Sequence, residues 1–238
     1  THVLHEGQMV TVACAGGDEG IVYEGEAEVT ETIIDPGTAP ATKTKVMMNI
    51  ANPSAAFRWW RLNADGVGLA RMEFVISNAI KVHPLALTRF DQITDPDARA
   101  EIEALTRGYS SKPAYFTDKL SRGLAKIAAL VWPKPVIVRM SDFKTNEYAG
   151  LLGGRQFEPD EENPMIGFRG ASRYHSPEYA DGFALECAAI QKLRTEMGFA
   201  NVVVMIPFCR TLAEADAVLA EMARHGLERG KDGLEIYV

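Results

Sequence analysis

The sequence of 238 residues holds three cysteines, no apolar run of membrane-spanning length and no surplus of basic residues. Cys14, Cys187 and Cys209 are odd in number and too scattered for a Cys-x-x-Cys pair, which excludes that redox motif. They read as reduced thiols, buried as small packing residues. A membrane helix needs about 20 consecutive apolar residues, and neither such a run nor a signal peptide is present, so a soluble, cytoplasmic protein without a membrane partner is expected. Lysine and arginine total 25 against 32 acidic residues, a net charge of −7, and no basic cluster offsets it. That balance argues against a nucleic-acid surface and requires any anionic ligand to be drawn by a local basic cleft. The composition carries no disorder signal: 47% hydrophobic and 24% charged residues are ordinary for a globular chain.

What is present centres on residues 138–170, VRMSDFKTNEYAGLLGGRQFEPDEENPMIGFRG. The preceding Pro135-Val-Ile-Val138 run has the β-branched, uniformly apolar character of a strand buried on both faces. Arg139 and Asp142 stand at its carboxyl end, where parallel α/β folds expose their working residues. The polar loop that follows closes on Arg169, between Gly167-Phe168 and Gly170. Leu69-Ala-Arg71-Met-Glu73 repeats the context, an arginine after the Gly66-Val-Gly68 turn. Guanidinium groups grip carboxylate or phosphate with two parallel hydrogen bonds, so three arginines so placed suggest an anion site. The competing reading is a set of structural salt bridges with Glu158, Asp160, Glu161 and Glu162 of the same loop.

In chain order, residues 1–34 form short β-prone runs, at Met9–Ala13, Gly20–Tyr23 and Ala27–Ile34, divided by Gly16-Gly17 and Glu24-Gly25 turns. Residues 35–43 are a connector rich in proline and threonine. From residue 44 strands and helices alternate. A buried strand is expected at Lys45–Ile50, a helix opened by Asn52-Pro53-Ser54 over Ala55–Leu62, and a strand and loop over Gly66–Phe74. Helix follows from about Ile76 to Phe90 and through most of 95–131, started by Asp95-Pro96. Then come the Pro135–Val138 strand, a helix over Pro177–Met197, a strand at Val202–Ile206, a threonine-capped helix over Thr211–His225 and a strand at Leu234–Val238. With one further strand near Ile166-Gly167 this makes about six strands alternating with helices. A (β/α)8 TIM barrel needs eight. Because a chain stopping within an apolar strand leaves an open edge, the expectation is an α/β fold, an incomplete (β/α)8 barrel cut at both ends.

Gly-Val-Gly-Leu-Ala-Arg71-Met-Glu-Phe, Val-Arg139-Met-Ser-Asp-Phe-Lys-Thr-Asn-Glu-Tyr and Asp-Glu-Glu-Asn-Pro-Met-Ile-Gly-Phe-Arg169-Gly resemble the phosphoenolpyruvate synthases (pyruvate, water dikinases). These belong to the PEP-utilising enzymes, with pyruvate phosphate dikinase and enzyme I of the sugar phosphotransferase system. The resemblance implies a modular enzyme with an ATP-grasp domain, a swivelling phosphohistidine domain and a phosphoenolpyruvate/pyruvate barrel. ATP phosphorylates the histidine, and transfer to pyruvate enolate yields phosphoenolpyruvate, AMP and phosphate. By this resemblance residues 1–34 are the tail of the phosphohistidine domain, 35–43 a linker and 44–238 the first part of the barrel.

The resemblance carries Arg71, Arg139 and Arg169 over as substrate-binding residues for pyruvate and phosphoenolpyruvate, with Asp142 and Glu73 orienting them. The family's phosphohistidine context fits none of His2, His5, His83, His175 or His225. Its Mg2+-binding carboxylates and its proton-exchanging cysteine are expected after Val238, and ATP binds a separate domain. On its own the chain should therefore not turn over. Barrels of this family often pair, so a homodimer is a further expectation.

For the remaining residues the bland readings are preferred. His83 and His175 read as packing or surface groups, Trp59, Trp60 and Trp132 as core or domain-contact residues, and Glu158–Glu162 as a solvated run. Gly153-Gly154 is too short for a phosphate loop. Two alternatives to a synthase stay open: an enzyme of the same class with phosphate or a carrier-protein histidine as acceptor, and a module that binds anions without chemistry.

Overall fold

The computed structural model describes residues 4–14, 20–30, 35, 40 and 42–238. His2, the Gly16-Gly17 turn, the end of the Ala27–Ile34 run and much of the 35–43 connector lie outside the described residues. The chain divides into two compact units, Thr1–Ala39 and Pro40–Val238.

In the first unit β1 (Val10–Ala13) pairs antiparallel with β2 (Ile21–Glu24), Val10 opposite Glu24 and Ala13 opposite Ile21. The Thr11 hydroxyl donates to the Gly25 carbonyl and accepts from the Ala27 amide, both at 2.8 Å, tying down the chain after β2. Residues 26–30 add no third strand, so the run expected from Ala27 does not pair where it is described.

The second unit is built on a parallel sheet in sequential order: β3 (Met48–Ile50), β4 (Val67–Arg71), β5 (Val136–Arg139), β6 (Val202–Met205) and β7 (Ile236–Tyr237). Val202, Val203 and Val204 of β6 are buried, whereas β5 buries Val136 and Val138 on one face and leaves Ile137 half-buried on the other, short of the burial on both faces expected of it. β3 is shorter than expected, and of its residues only Ile50 is buried.

Helices cover the sheet. α1 (Pro53–Ala56), α2 (Met72–Val75), α3 (Pro84–Thr88) and α4 (Pro96–Thr106) precede the long α5 (Lys112–Leu130). α6 (Thr145–Ala149), α7 (Ala171–Tyr174), α8 (Ala180–Thr195) and α9 (Leu212–Arg224) follow β5. Phe116, Leu120, Leu124 and Ile127 recur at helical spacing along α5 and bury one face of it, which packs against α8. Side chains of Asp95, Ser111 and Thr211 accept backbone N–H groups at the starts of α4, α5 and α9, satisfying donors that the helices leave free. Among the described residues no helix is long and apolar enough to cross a membrane.

Several expectations are corrected. The helix expected over 76–90 is divided: a π-turn, Ile76–Ile80, ends at Lys81 in the left-handed region, Val82 bridges Leu152, and Pro84 restarts the chain as α3. Proline lacks the N–H to continue a helix but suits a first turn. The helix opened at Asn52 stops at Ala56, and Trp59 and Trp60 beyond it are exposed, as is Trp132, so none is a core residue. Ile166-Gly167 is not a strand; Ile166 is exposed in a turn. Of the three cysteines only Cys187 is buried. Surface aromatic and thiol groups are tolerated because apolar side chains need not all be inside.

Candidate active site

Adjacent parallel strands deliver the first two arginines to one edge of the sheet. Arg71 ends β4, Arg139 ends β5, and the two are register partners. Registered neighbours point to the same face, so both guanidinium groups reach the same side. Arg169 arrives from the 155–170 loop. Glu161 ties that loop down, accepting from the Phe168 amide at 2.7 Å and from the Thr145 hydroxyl at 2.8 Å. Gly170 lets it close at φ +62°: a β-carbon there would lie 2.4 Å from the Pro207 carbonyl oxygen.

Two acids organise the arginines. Arg139 donates through Nη2 to Glu73 Oε1, and its Nη1 lies 3.4 Å from Asp142 Oδ2. Arg169 donates from Nε to Asp142 Oδ1 at 2.9 Å, so Asp142 bridges the two arginines. The Arg169 guanidinium lies 4.3 Å over the ring of Phe208, a residue held at φ +48° just beyond β6. Such a conformation in a bulky residue is uncommon and collects near functional sites. Arg71 covers Phe74 at 4.6 Å, and among the described residues it has no carboxylate partner.

These five side chains line one cavity of about 770 Å³. Its wall holds five basic residues, Arg71, Lys81, Arg139, Lys144 and Arg169, against three acidic ones, Glu73, Asp142 and Glu147. The local surplus is positive within a chain of net charge −7. Buried at its floor, Glu73 Oε2 and Arg139 Nε have no hydrogen-bond partner. Burial pushes the Glu73 carboxyl above its usual range, and the Arg139 charge opposes that shift. The arrangement can receive a small planar anion: three guanidinium groups line it, and Glu73 and Asp142 hold those of Arg139 and Arg169 in place. Among the described residues no group of three His, Cys, Asp or Glu side chains is placed to hold a metal ion. Of the three wall acids, Glu73 and Asp142 are engaged by arginines and Glu147 by Lys144.

The loop acids do not pair with Arg139 or Arg169, as the salt-bridge reading supposed. Nor is the run solvated throughout: Glu158 is buried, accepts from Arg173 through both oxygens and lies 2.9 Å from His83 Nε2. His83 is also buried, its Nδ1 accepting from the Leu85 amide, and it takes a packing role. His175 is exposed at the end of α7 and does not line the cavity. Gly153-Gly154 closes the turn after α6 against Ala86 and Tyr148. Lys144 stands within the Arg139 motif, but nothing in the local sequence of Lys81 or Phe208 distinguishes them from surface groups. Only the positive φ of Lys81 and Phe208 marks them, and that is invisible before folding.

A family model described as "PEP-utilising enzyme, PEP-binding domain" matches residues 26–236. The chain belongs to that family. A protein named phosphoenolpyruvate synthase from Synechocystis is 58% identical over 241 residues, covering 100% of this chain and 29% of the relative. Proteins of the same name from Neisseria meningitidis and Escherichia coli are 50% and 49% identical, each over 99% of this chain and 30% of the relative. The chain thus spans about three tenths of the length of these PEP-utilising relatives. All five cavity residues taken from the motifs fall within the matched PEP-binding domain.

Proposed function

We propose that the arginine cavity is the pyruvate and phosphoenolpyruvate site of a phosphoenolpyruvate synthase, the longer protein converting ATP, pyruvate and water to AMP, phosphoenolpyruvate and phosphate through a phosphohistidine. One observation carries the reading: Arg71, Arg139 and Arg169, drawn from three separate motifs, line one basic cavity at the carboxyl ends of adjacent parallel strands. Five parallel strands in sequential order with helices between them also agree with a (β/α)8 barrel, whose sites stand at that end.

In this reading the guanidinium groups hold the pyruvate carboxylate and the oxygens of the transferring phosphoryl group. Charges fixed before reaction stabilise a loose phosphoryl-transfer transition state without reorganising. Glu73 and Asp142 keep Arg139 and Arg169 from swinging toward solvent. The phosphohistidine and ATP sites belong to other domains of the longer protein, and the Mg2+ ligands would come from other residues of it, since Glu73 and Asp142 are engaged by arginine here.

The test is Arg139→Ala in the full-length protein carrying this sequence, assayed for pyruvate-dependent AMP formation. A fall in kcat/KM of about 10²–10³-fold is expected, the usual scale for losing one fixed charge-stabilising donor. An unchanged rate would remove the assignment.

A further inference from the structure

Directly behind the cavity, Ser141 stands between Arg139 and Asp142, and all its polar groups are engaged by buried side chains. Its amide donates to Glu186 Oε2 at 3.1 Å, its carbonyl accepts from the Tyr174 hydroxyl, and its hydroxyl meets both Glu186 Oε1 and Tyr148 Oη, the latter at 2.6 Å. Tyr179 Oη lies 3.0 Å from Tyr148 Oη and 3.2 Å from Glu186 Oε1. Four oxygens, those of Glu186 Oε1, Ser141, Tyr148 and Tyr179, therefore close a ring of four contacts. Each contact needs one proton, and the three hydroxyls supply three. With Glu186 ionised one contact is left without a hydrogen. With Glu186 protonated the ring runs in one direction, each oxygen donating once and accepting once.

We propose that Glu186 is a positioning residue of the arginine cavity: as a carboxylic acid it supplies the fourth proton of a ring that fixes the Ser141-Asp142 backbone, and its ionisation opens the ring and weakens anion binding. The inference rests on the anion-site reading of the preceding subsection. Its groups are all buried, where a satisfied polar network is rigid and a broken one is costly. The surrounding charges agree. Burial, with a smaller push from the Glu73 charge, raises the Glu186 carboxyl from 4.5 to about 7 against the lowering effect of the hydrogen bonds from Ser141 and Tyr179. Burial also holds the phenols of Tyr148, Tyr174 and Tyr179 above their usual range, so they keep their protons. Arg173, lying over the Tyr148 and Tyr179 rings, is engaged by Glu158, and His83 meets the same rings edge-on. An ionised Glu186 would thus add an unshared negative charge behind Asp142.

The experiment uses the full-length protein and its Glu186→Gln variant, which keeps the shape and neutrality of the acid. Infrared difference spectra between the two report the carboxylic acid, and calorimetric titration with oxalate reports the cavity. The expected result is a carboxylic-acid band at about pH 6, missing from the variant and lost as pH passes about 7. Oxalate affinity of the unmodified protein should fall roughly five-fold across the same interval, and distinctly less in the variant. Absence of the band at about pH 6 overturns the inference, and so do identical pH profiles of affinity in the two proteins. Failure of the unmodified protein to bind oxalate at any pH overturns the anion-site reading and with it the coupling, while the infrared titration still decides whether the ring holds its proton. If Glu186→Gln does not fold, Tyr179→Phe, which removes one ring proton, replaces it; an affinity profile equal to that of the unmodified protein then counts against the ring.

Discussion

Arg173 fills no part of the arginine cavity, yet among the described residues it is one of the largest fully buried side chains. Its guanidinium pairs with Glu158 and lies 3.8 Å over Tyr148, holding the loop that delivers Arg169. Removing one partner of such a pair leaves the other charge buried and uncompensated. Arg173→Met is expected to lower stability by about 3–5 kcal/mol in urea denaturation. A loss below about 1 kcal/mol, the scale of an exposed pair, would contradict the burial argument. At this scale the sequence was informative about Arg71, Arg139 and Arg169, because strand ends and glycine turns mark them. It was silent on Arg173 and Glu186 and misleading on Glu158, because whether a charge is buried depends on partners remote in the chain. Glu158 showed this directly: inside an acidic run it reads as solvated, and only folding brings His83 and Arg173 to it.

Among the elements, the break after the π-turn matters most to the cavity. Lys81 ends that turn at φ +66°, ψ −11°, a conformation that suits glycine better than a residue with a β-carbon. Lys81→Gly is expected to raise stability by about 1 kcal/mol, seen as a higher Tm. A lower Tm would mean that no strain is held there. The apolar periodicity over 76–90 could not reveal the break, since Ile76, Ile80 and Leu87 keep helical spacing on both sides of it. The helix starts at Asp95 and Thr211 were legible, because local side-chain chemistry decides them; the Ser111 cap, which divides the helical sequence of 95–131 into α4 and α5, was not.

For the whole molecule the buried acid Glu186 links stability to pH. Its folded value, about 7, lies above the ordinary 4.5, so the native state binds its proton more tightly than the unfolded chain. Its stabilising contribution is therefore complete below about pH 4.5, declines as pH rises and is gone above about pH 7. The span corresponds to roughly 3 kcal/mol. Glu186→Gln, which cannot ionise, should flatten the stability profile between these limits, measured as urea midpoints at stepped pH. Parallel profiles for the two proteins would refute the assignment.

The sequence by itself determined the alternation of strands and helices, the places of β5 and β6 and the three arginines of the cavity. Each follows from hydrophobic period, capping chemistry or residue type within a few neighbours. Tertiary structure alone decided that Arg71 and Arg139 stand in register and that Asp142 is shared between Arg139 and Arg169. It also decided that Ile166 stays outside the sheet and that Glu186 reaches the back of the site from α8. These are outcomes of long-range pairing and of the low dielectric that pairing creates, and neither is encoded in any single stretch of the chain.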